Sequence, residues 1–153
     1  MKFLLATDGS ESSLKALGET FQMLNSIRDT LDLITVVDNP TLITEEVISS
    51  NIIEYSNIAE KILDHCERRC LEHNFILGKN LNRKILIGDV REEIIKYINQ
   101  KGPFDMIVVG SRGLGLFKKL MLGSVSEYLV HHSPIPVYVV KLDGNCRITE
   151  PQL

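Results

Sequence analysis

The chain has 153 residues, of which 44% are hydrophobic and 24% charged, as in a single globular domain that needs no disulfide bonds. Its formal net charge of -3 excludes a general electrostatic attraction to nucleic acid or anionic membranes. Its apolar stretches are too short for a membrane span or a signal peptide, and its three cysteines are an odd number. We therefore expect a cytoplasmic protein with reduced thiols.

The first half of the chain predicts two strands and two helices. An apolar run at 3–6 is closed by turn residues, which predicts a buried strand, and Ser10 is the expected N-cap of the helix that follows. A second apolar strand is predicted at 31–37. The stretch from 47 to 70 repeats apolar residues every three or four positions, which predicts a long helix with one buried face.

The second half predicts three strands and two helices. The strands are expected at 83–87, 105–109 and 137–140, and the second of these is almost entirely apolar, as in a strand covered on both faces. A helix opens after Asp89, whose carboxylate is a good N-cap. The last helix is expected at 124–132 and is stopped by a proline-rich stretch.

Strands and helices therefore alternate along the whole chain. This alternation predicts an α/β fold: a single-domain, open, doubly wound sheet of five parallel strands, with helices on both faces. The expected strand order is 3-2-1-4-5. Sheets of this kind bind ligands beyond the carboxyl ends of their strands, at the point where the winding reverses. Here that switch point lies between the first and fourth strands.

A glycine-rich segment joins the fourth strand to the last helix, at that same edge of the sheet. Glycines let the backbone approach a ligand closely. The amides of Gly123, Ser124 and Val125 are expected to be first-turn donors without acceptors, and the helix dipole favours an anion in front of them. Arg112 adds the local positive charge that the whole chain lacks. The segment therefore predicts a phosphate-binding loop.

Three segments together match one family pattern. Glycines stand at 110, 113 and 123 and a serine at 124, which gives the spacing Gly, two residues, Gly, nine residues, Gly-Ser. The first strand ends in Ala6-Thr7-Asp8-Gly9-Ser10, and the last strand is preceded by Ser133-Pro134-Ile135-Pro136-Val137. With these segments in this order over residues 2 to 141, the chain resembles the universal stress protein family, and the glycine spacing resembles that of its ATP-binding members.

The resemblance implies a nucleotide-binding domain over residues 1–141, followed by a polar tail over 142–153. It implies that ATP, or else AMP or ADP, binds at the switch point, with Mg or Mn held through the phosphates if a metal takes part. Thr7 stands where the family pattern has an aliphatic residue. The residues that the resemblance assigns to the nucleotide are Ala6, Thr7, Asp8, Val37, Val109, Gly110, Arg112, Gly113, Gly123, Ser124, Val125 and Ser126.

Simpler explanations compete for several of these residues. Ser124 with Glu127 also fits a capping box that needs no ligand, and Asp8 in front of Gly-Ser is also ordinary turn chemistry. Cys66 and Cys70 share one helix face with a histidine, but a single helix face rarely supplies a closed zinc site, so we predict no metal site.

The predicted function is that of a stress-response regulator that binds ATP and is not an enzyme, beyond slow ATP hydrolysis at most. No Walker A pattern, nucleophile elbow or evident water-orienting base is present in the sequence. The resemblance implies a homodimer, and the fifth strand, as an edge, is the expected interface. The alternatives are an adenylyl-transferring enzyme, a phospho-accepting receiver and a structural dimer without nucleotide.

Overall fold

The computed structural model describes residues 1–38, 45–111 and 122–142, with the backbone alone for 45–51. The strands are β1 (Lys2–Ala6), β2 (Thr30–Val37), β3 (Leu81–Ile87), β4 (Met106–Gly110) and β5 (Val137–Val140). The helices are α1 (Glu11–Met23), α2 (Glu45–Glu72), α3 (Val90–Lys101) and α4 (Ser124–His132). These elements follow the predicted order along the chain. Of the predicted tail, Leu142 alone lies within the described ranges.

The strands form one five-stranded parallel sheet in the order β3-β2-β1-β4-β5. The predicted fold class and strand order are confirmed. The chain winds outward from β1 on one side and from β4 on the other. In register, Ala6 lies opposite Ile34 of β2 and Val109 of β4, so β1 and β4 end side by side at the switch point.

Two apolar layers cover the two faces of the sheet. In the first, side chains of α1 and α2 such as Leu17 and Leu63 pack on Leu33 of β2. In the second, side chains of α3 and α4 such as Ile94 and Leu129 pack on the opposite face. Because β1 and β4 are central strands covered on both sides, their sequences are nearly continuous apolar runs. None of the described helices is long and apolar enough to cross a membrane.

Side-chain caps set the starts of two helices. The Ser10 hydroxyl accepts a hydrogen bond from the Ser13 amide at the start of α1, which confirms the predicted N-cap. The Asp89 carboxylate accepts from the amides of Arg91 and Glu92 at the start of α3. Each cap satisfies first-turn amides that have no acceptor within the helix.

Candidate functional site

A cavity of about 350 Å³ opens at the carboxyl edge of the sheet, between the ends of β1, β2 and β4 and the starts of α3 and α4. Its volume is in the range of small-ligand sites. The apolar residues of its lining are Ala6, Ile34, Val36, Val90, Ile94, Val109 and Val125. The polar residues and glycines of its lining are Thr7, Asp8, Ser13, Gly110, Ser111, Gly123, Ser124 and Ser126.

Most of the residues predicted from the sequence therefore meet in one cavity, but Val37 does not line it. Val36 stands in its place, because successive side chains of a strand point to opposite faces of the sheet. The Val37 carbonyl accepts a hydrogen bond from the Gly88 amide at 3.0 Å, on the β3 side of β2. The Ile34 carbonyl points the other way and accepts from the Thr7 amide at 2.9 Å, so by the same alternation the Val36 carbonyl points toward β1, where the cavity opens.

Two predicted residues, Arg112 and Gly113, lie outside the described residues. Their assignment to the nucleotide stays a prediction. The described part of the site therefore comprises the turn after β1, the ends of β2 and β4, and the starts of α3 and α4.

The turn between β1 and α1 is fixed by its own polar side chains. Asp8 accepts a hydrogen bond from the Ser10 amide at 2.9 Å, and Gly9 has a φ of 77°, a left-handed conformation that favours glycine. The Thr7 hydroxyl accepts from the Gly9 amide and lies 3.0 Å from the Ser13 hydroxyl. Asp8 is thus both a turn residue and a cavity residue, so the two explanations of its presence are compatible.

Behind this turn lies Cys66 of α2. Burial raises the pKa of the Cys66 thiol, and a hydrogen bond with Thr7 opposes part of that rise. Burial also raises the pKa of Cys70 to about 12. Both thiols belong to the apolar core, and no three His, Cys, Asp or Glu side chains within the described ranges are grouped so that they could hold a metal ion.

Gly110 brings α1 against the end of β4. A Cβ atom added at Gly110 would lie 2.5 Å from the Ser12 hydroxyl oxygen and 2.6 Å from the Ser13 amide nitrogen. A separation below 3.0 Å forces atoms to move, and the Ser13 amide nitrogen is backbone, which cannot swing aside. The absence of a side chain at Gly110 therefore has a packing reason that is independent of any ligand.

The start of α4 differs from those of α1 and α3. Its N-cap is Gly123, which makes no side-chain cap hydrogen bond, so the alternative in which Ser124 caps the helix is wrong. Ser124 is the first helical residue. The Gly123 amide donates to the Ser111 carbonyl, so the prediction that this amide is unpaired is also wrong.

The Ser124 and Val125 amides occupy the first two helical positions, where no intrahelical acceptor exists. Both residues line the cavity. Of the three helix starts whose capping is described, that of α4 alone lacks a side-chain cap. Together with the positive end of the helix dipole, these amides favour an anion in the described cavity.

Comparison with known proteins supplies the family. The model of the universal stress protein family matches residues 1–141. The chain belongs to the universal stress protein family. Among its relatives, the stress response protein NhaX of Bacillus subtilis is 31% identical to this universal stress protein, over 92% of this chain and 97% of NhaX.

Solved structures share the fold. The structure of hypothetical protein MJ0577 superposes on this universal stress protein with a TM-score of 0.83 at 27% identity, and covers 94% of this chain and 97% of MJ0577. An Arabidopsis thaliana universal stress protein family protein, solved with AMP bound, has a TM-score of 0.67 at 20% identity and covers 95% of this chain and 94% of that one. A universal stress protein in complex with cAMP has a TM-score of 0.63 at 20% identity, covering 92% and 95%.

Several residues of the cavity in this universal stress protein were not predicted. Ser13, Val90 and Ile94 enter it from α1 and α3, and Ile34 and Ser111 from the ends of β2 and β4. Ile34 lies two residues before Val36 on β2, so the side chains of the two residues point to the same face of the sheet. Ser111 lies inside the glycine motif itself. The sequence does not predict which residues of α1 and α3 reach the strand ends, because this depends on how the helices pack on the sheet.

Proposed function

We propose that this universal stress protein binds an adenine nucleotide, ATP or else AMP or ADP, in the cavity at the switch point. The observation that carries the proposal is the start of α4, whose first-turn amides line the cavity and have no side-chain cap. Phosphate is a suitable ligand for such a helix start. The α3 start, at the same edge, is occupied by the Asp89 carboxylate and offers no equivalent site.

The apolar and the polar residues of the lining suit the two ends of a nucleotide. The apolar side chains of the lining, such as Ile34, Val36 and Ile94, offer a planar base a surface without charge. Asp8 also lines the cavity, and its carboxylate can accept hydrogen bonds from ribose hydroxyls. The proposed pose therefore places the base against α3, the ribose beside Asp8 and the phosphates before Ser124.

Two structures of the same fold support the adenine assignment, since one contains AMP and the other cAMP. Both ligands join adenosine to a single phosphate. A divalent ion is proposed here only as a companion of ATP or ADP phosphates. The described residues offer no set of three carboxylate, thiol or imidazole side chains for it, so Mg²⁺ or Mn²⁺ would be held largely by the phosphates and water.

We propose binding rather than catalysis as the activity. Asp8 is the one acid–base side chain among the described residues that line the cavity, and it already accepts from the Ser10 amide. Phosphoryl transfer depends on groups that position the nucleophile and neutralise charge in the transition state. A regulator instead needs the nucleotide to bind two conformations or assemblies with different affinities.

The first test is to identify nucleotide carried by the purified protein. The protein is denatured, and the released small molecules are separated and measured by absorbance. Calorimetry on nucleotide-free protein then compares AMP, ADP, ATP and GMP. We expect adenine nucleotides to bind with dissociation constants in the micromolar range and GMP to bind more weakly. Absence of AMP, ADP and ATP binding by a folded sample contradicts the proposal, and release of phosphate or pyrophosphate from ATP favours the enzyme alternative.

We also propose a homodimer that pairs through β5. This strand is the edge of the sheet beyond β4, so one side of its backbone has no neighbouring strand among the residues that the structure describes. Tyr138 on β5 and Val130 on the adjacent α4 are 40% and 50% exposed. An edge strand flanked by exposed apolar side chains suits pairing with its own twofold mate.

Sedimentation analysis tests this interface with a matched pair of variants. Tyr138→Lys places like charges near each other across the twofold axis and is expected to give monomers. Tyr55→Lys, at a tyrosine of α2 that is 47% exposed, is the control and is expected to stay dimeric. A monomeric wild-type protein, or a Tyr138→Lys variant that remains dimeric, contradicts the proposed interface.

A further inference from the structure

Ser126 lies in the first turn of α4, but its hydroxyl faces the protein backbone. The side chain is buried, with 3% of its surface exposed. Its Oγ lies 3.2 Å from the Ser111 carbonyl oxygen and 3.0 Å from the Gly123 carbonyl oxygen. A hydroxyl has one hydrogen to donate, and these two carbonyl oxygens are both acceptors within hydrogen-bond distance of it. A phosphate would have to compete with these two carbonyls for that hydrogen.

The backbone of Ser111 ties this turn to the sheet. Its carbonyl accepts from the Gly123 amide as well as from Ser126, and its amide donates to the Val140 carbonyl at 2.9 Å at the end of β5. The start of α4 is therefore held by one buried residue at the edge of the sheet, Ser111. The direction of the Ser124 and Val125 amides depends on how firmly this contact is held.

We infer that Ser126 is a positioning residue whose hydroxyl holds the first turn of α4 on Ser111, so that the Ser124 and Val125 amides face the cavity. In this role its hydroxyl acts by orienting these amides. The identity of the ligand, a nucleotide phosphate, rests on the proposed function. The hydrogen bonds that hold the turn are part of the ligand-free protein.

The effect of removing the hydroxyl is expected to be local. Without it, the Ser111 carbonyl still accepts from the Gly123 amide, and the Gly123 carbonyl still accepts from the Glu127 amide at 2.9 Å. No buried acceptor is left without a donor, so the large cost of an unsatisfied buried group does not arise. Ser126→Ala is therefore expected to fold.

The test compares three variants. Ser126→Ala removes the hydroxyl, and Ser126→Thr restores it, since threonine in a helix can bond the carbonyl three or four residues back. Ser133→Ala is the matched control: its hydroxyl donates to the Ile135 carbonyl at 2.8 Å at the other end of α4, away from the cavity. The two measurements are the binding of AMP and of adenosine by calorimetry, and the hydrogen exchange rate of the Gly123 amide in the ligand-free protein.

We expect Ser126→Ala to bind AMP about tenfold more weakly, as for one weakened hydrogen bond to a charged group, while adenosine affinity changes by less than about twofold. We expect its Gly123 amide to exchange about tenfold faster, and Ser126→Thr and Ser133→Ala to resemble the wild type. Equal losses for AMP and adenosine, no loss for AMP, or unchanged Gly123 exchange overturn the inference. If the wild type binds neither compound, the proposed function fails, and the exchange rate alone decides the role of Ser126.

Discussion

Gly110→Ala is expected to lower the free energy of unfolding by about 3 kcal/mol, at the upper end of the range for overpacking a buried site. The added methyl group would lie 2.6 Å from the Ser13 amide nitrogen and from the Ser12 carbonyl carbon, well inside van der Waals contact. Since these are backbone atoms at the start of α1, relief requires the whole helix start to move away from β4. Urea denaturation of the wild type and the variant measures the difference.

The same displacement is expected to disturb the cavity. Ser13 lines it, and the Ser13 hydroxyl contacts Thr7 at the turn that carries Asp8. The effect of Gly110→Ala on nucleotide binding would therefore arise from a shifted helix, without requiring any contact between Gly110 and a phosphate. A variant as stable as the wild type would show that α1 does not approach β4 as closely as described.

Gly18→Ala is the matched control, with an effect of opposite sign. Gly18 lies inside α1, where glycine costs about 1 kcal/mol relative to alanine. Among the described atoms outside its own helix, its added Cβ would meet only the Arg69 guanidinium, at 3.6 Å, which is ordinary van der Waals contact. The same substitution is therefore expected to stabilise the protein by about 1 kcal/mol. The contrast separates the effect of close packing from that of glycine as a residue type.

The sequence predicts the architecture well because its signals are local and repeated. The predicted α4 and β5 match the observed Ser124–His132 and Val137–Val140. The edge strand β3 begins two residues before the predicted 83–87, at Leu81, because its start alternates buried and exposed residues and lacks a continuous apolar run. The switch point then follows from the strand order, which the handedness of the crossovers restricts.

The sequence is less informative about which atoms face the cavity. Positions 36 and 37 are both valine, so the residue type does not distinguish them. The register of β2 against its neighbours decides which of the two side chains lines the site. In the same way, the glycine motif predicts a turn at Gly123 but not that its amide donates to Ser111. Hydrogen-bond partners distant in sequence are set by tertiary packing, which no local pattern encodes.

Ser124→Asp is expected to weaken AMP binding by at least about 100-fold while leaving the fold intact. Ser124 is exposed and is the first residue of α4, so the aspartate needs no space in the core. Its carboxylate would lie beside the amides proposed to bind phosphate, and two unit charges about 4 Å apart near a protein surface repel by up to about 4 kcal/mol. A negative charge in the first turn favours the helix itself, so stability is expected to stay equal or to rise by about 0.5 kcal/mol.

Ser124→Asn is the control, because asparagine has nearly the same shape as aspartate and no charge. It is expected to weaken AMP binding by no more than about tenfold, the contribution of one hydrogen bond to a charged group. Calorimetry with AMP and with adenosine, alongside thermal unfolding, separates the two effects: adenosine lacks the phosphate and should bind both variants as it binds the wild type. If aspartate and asparagine weaken AMP equally, charge is not the cause, and the first turn of α4 is not where the phosphate binds.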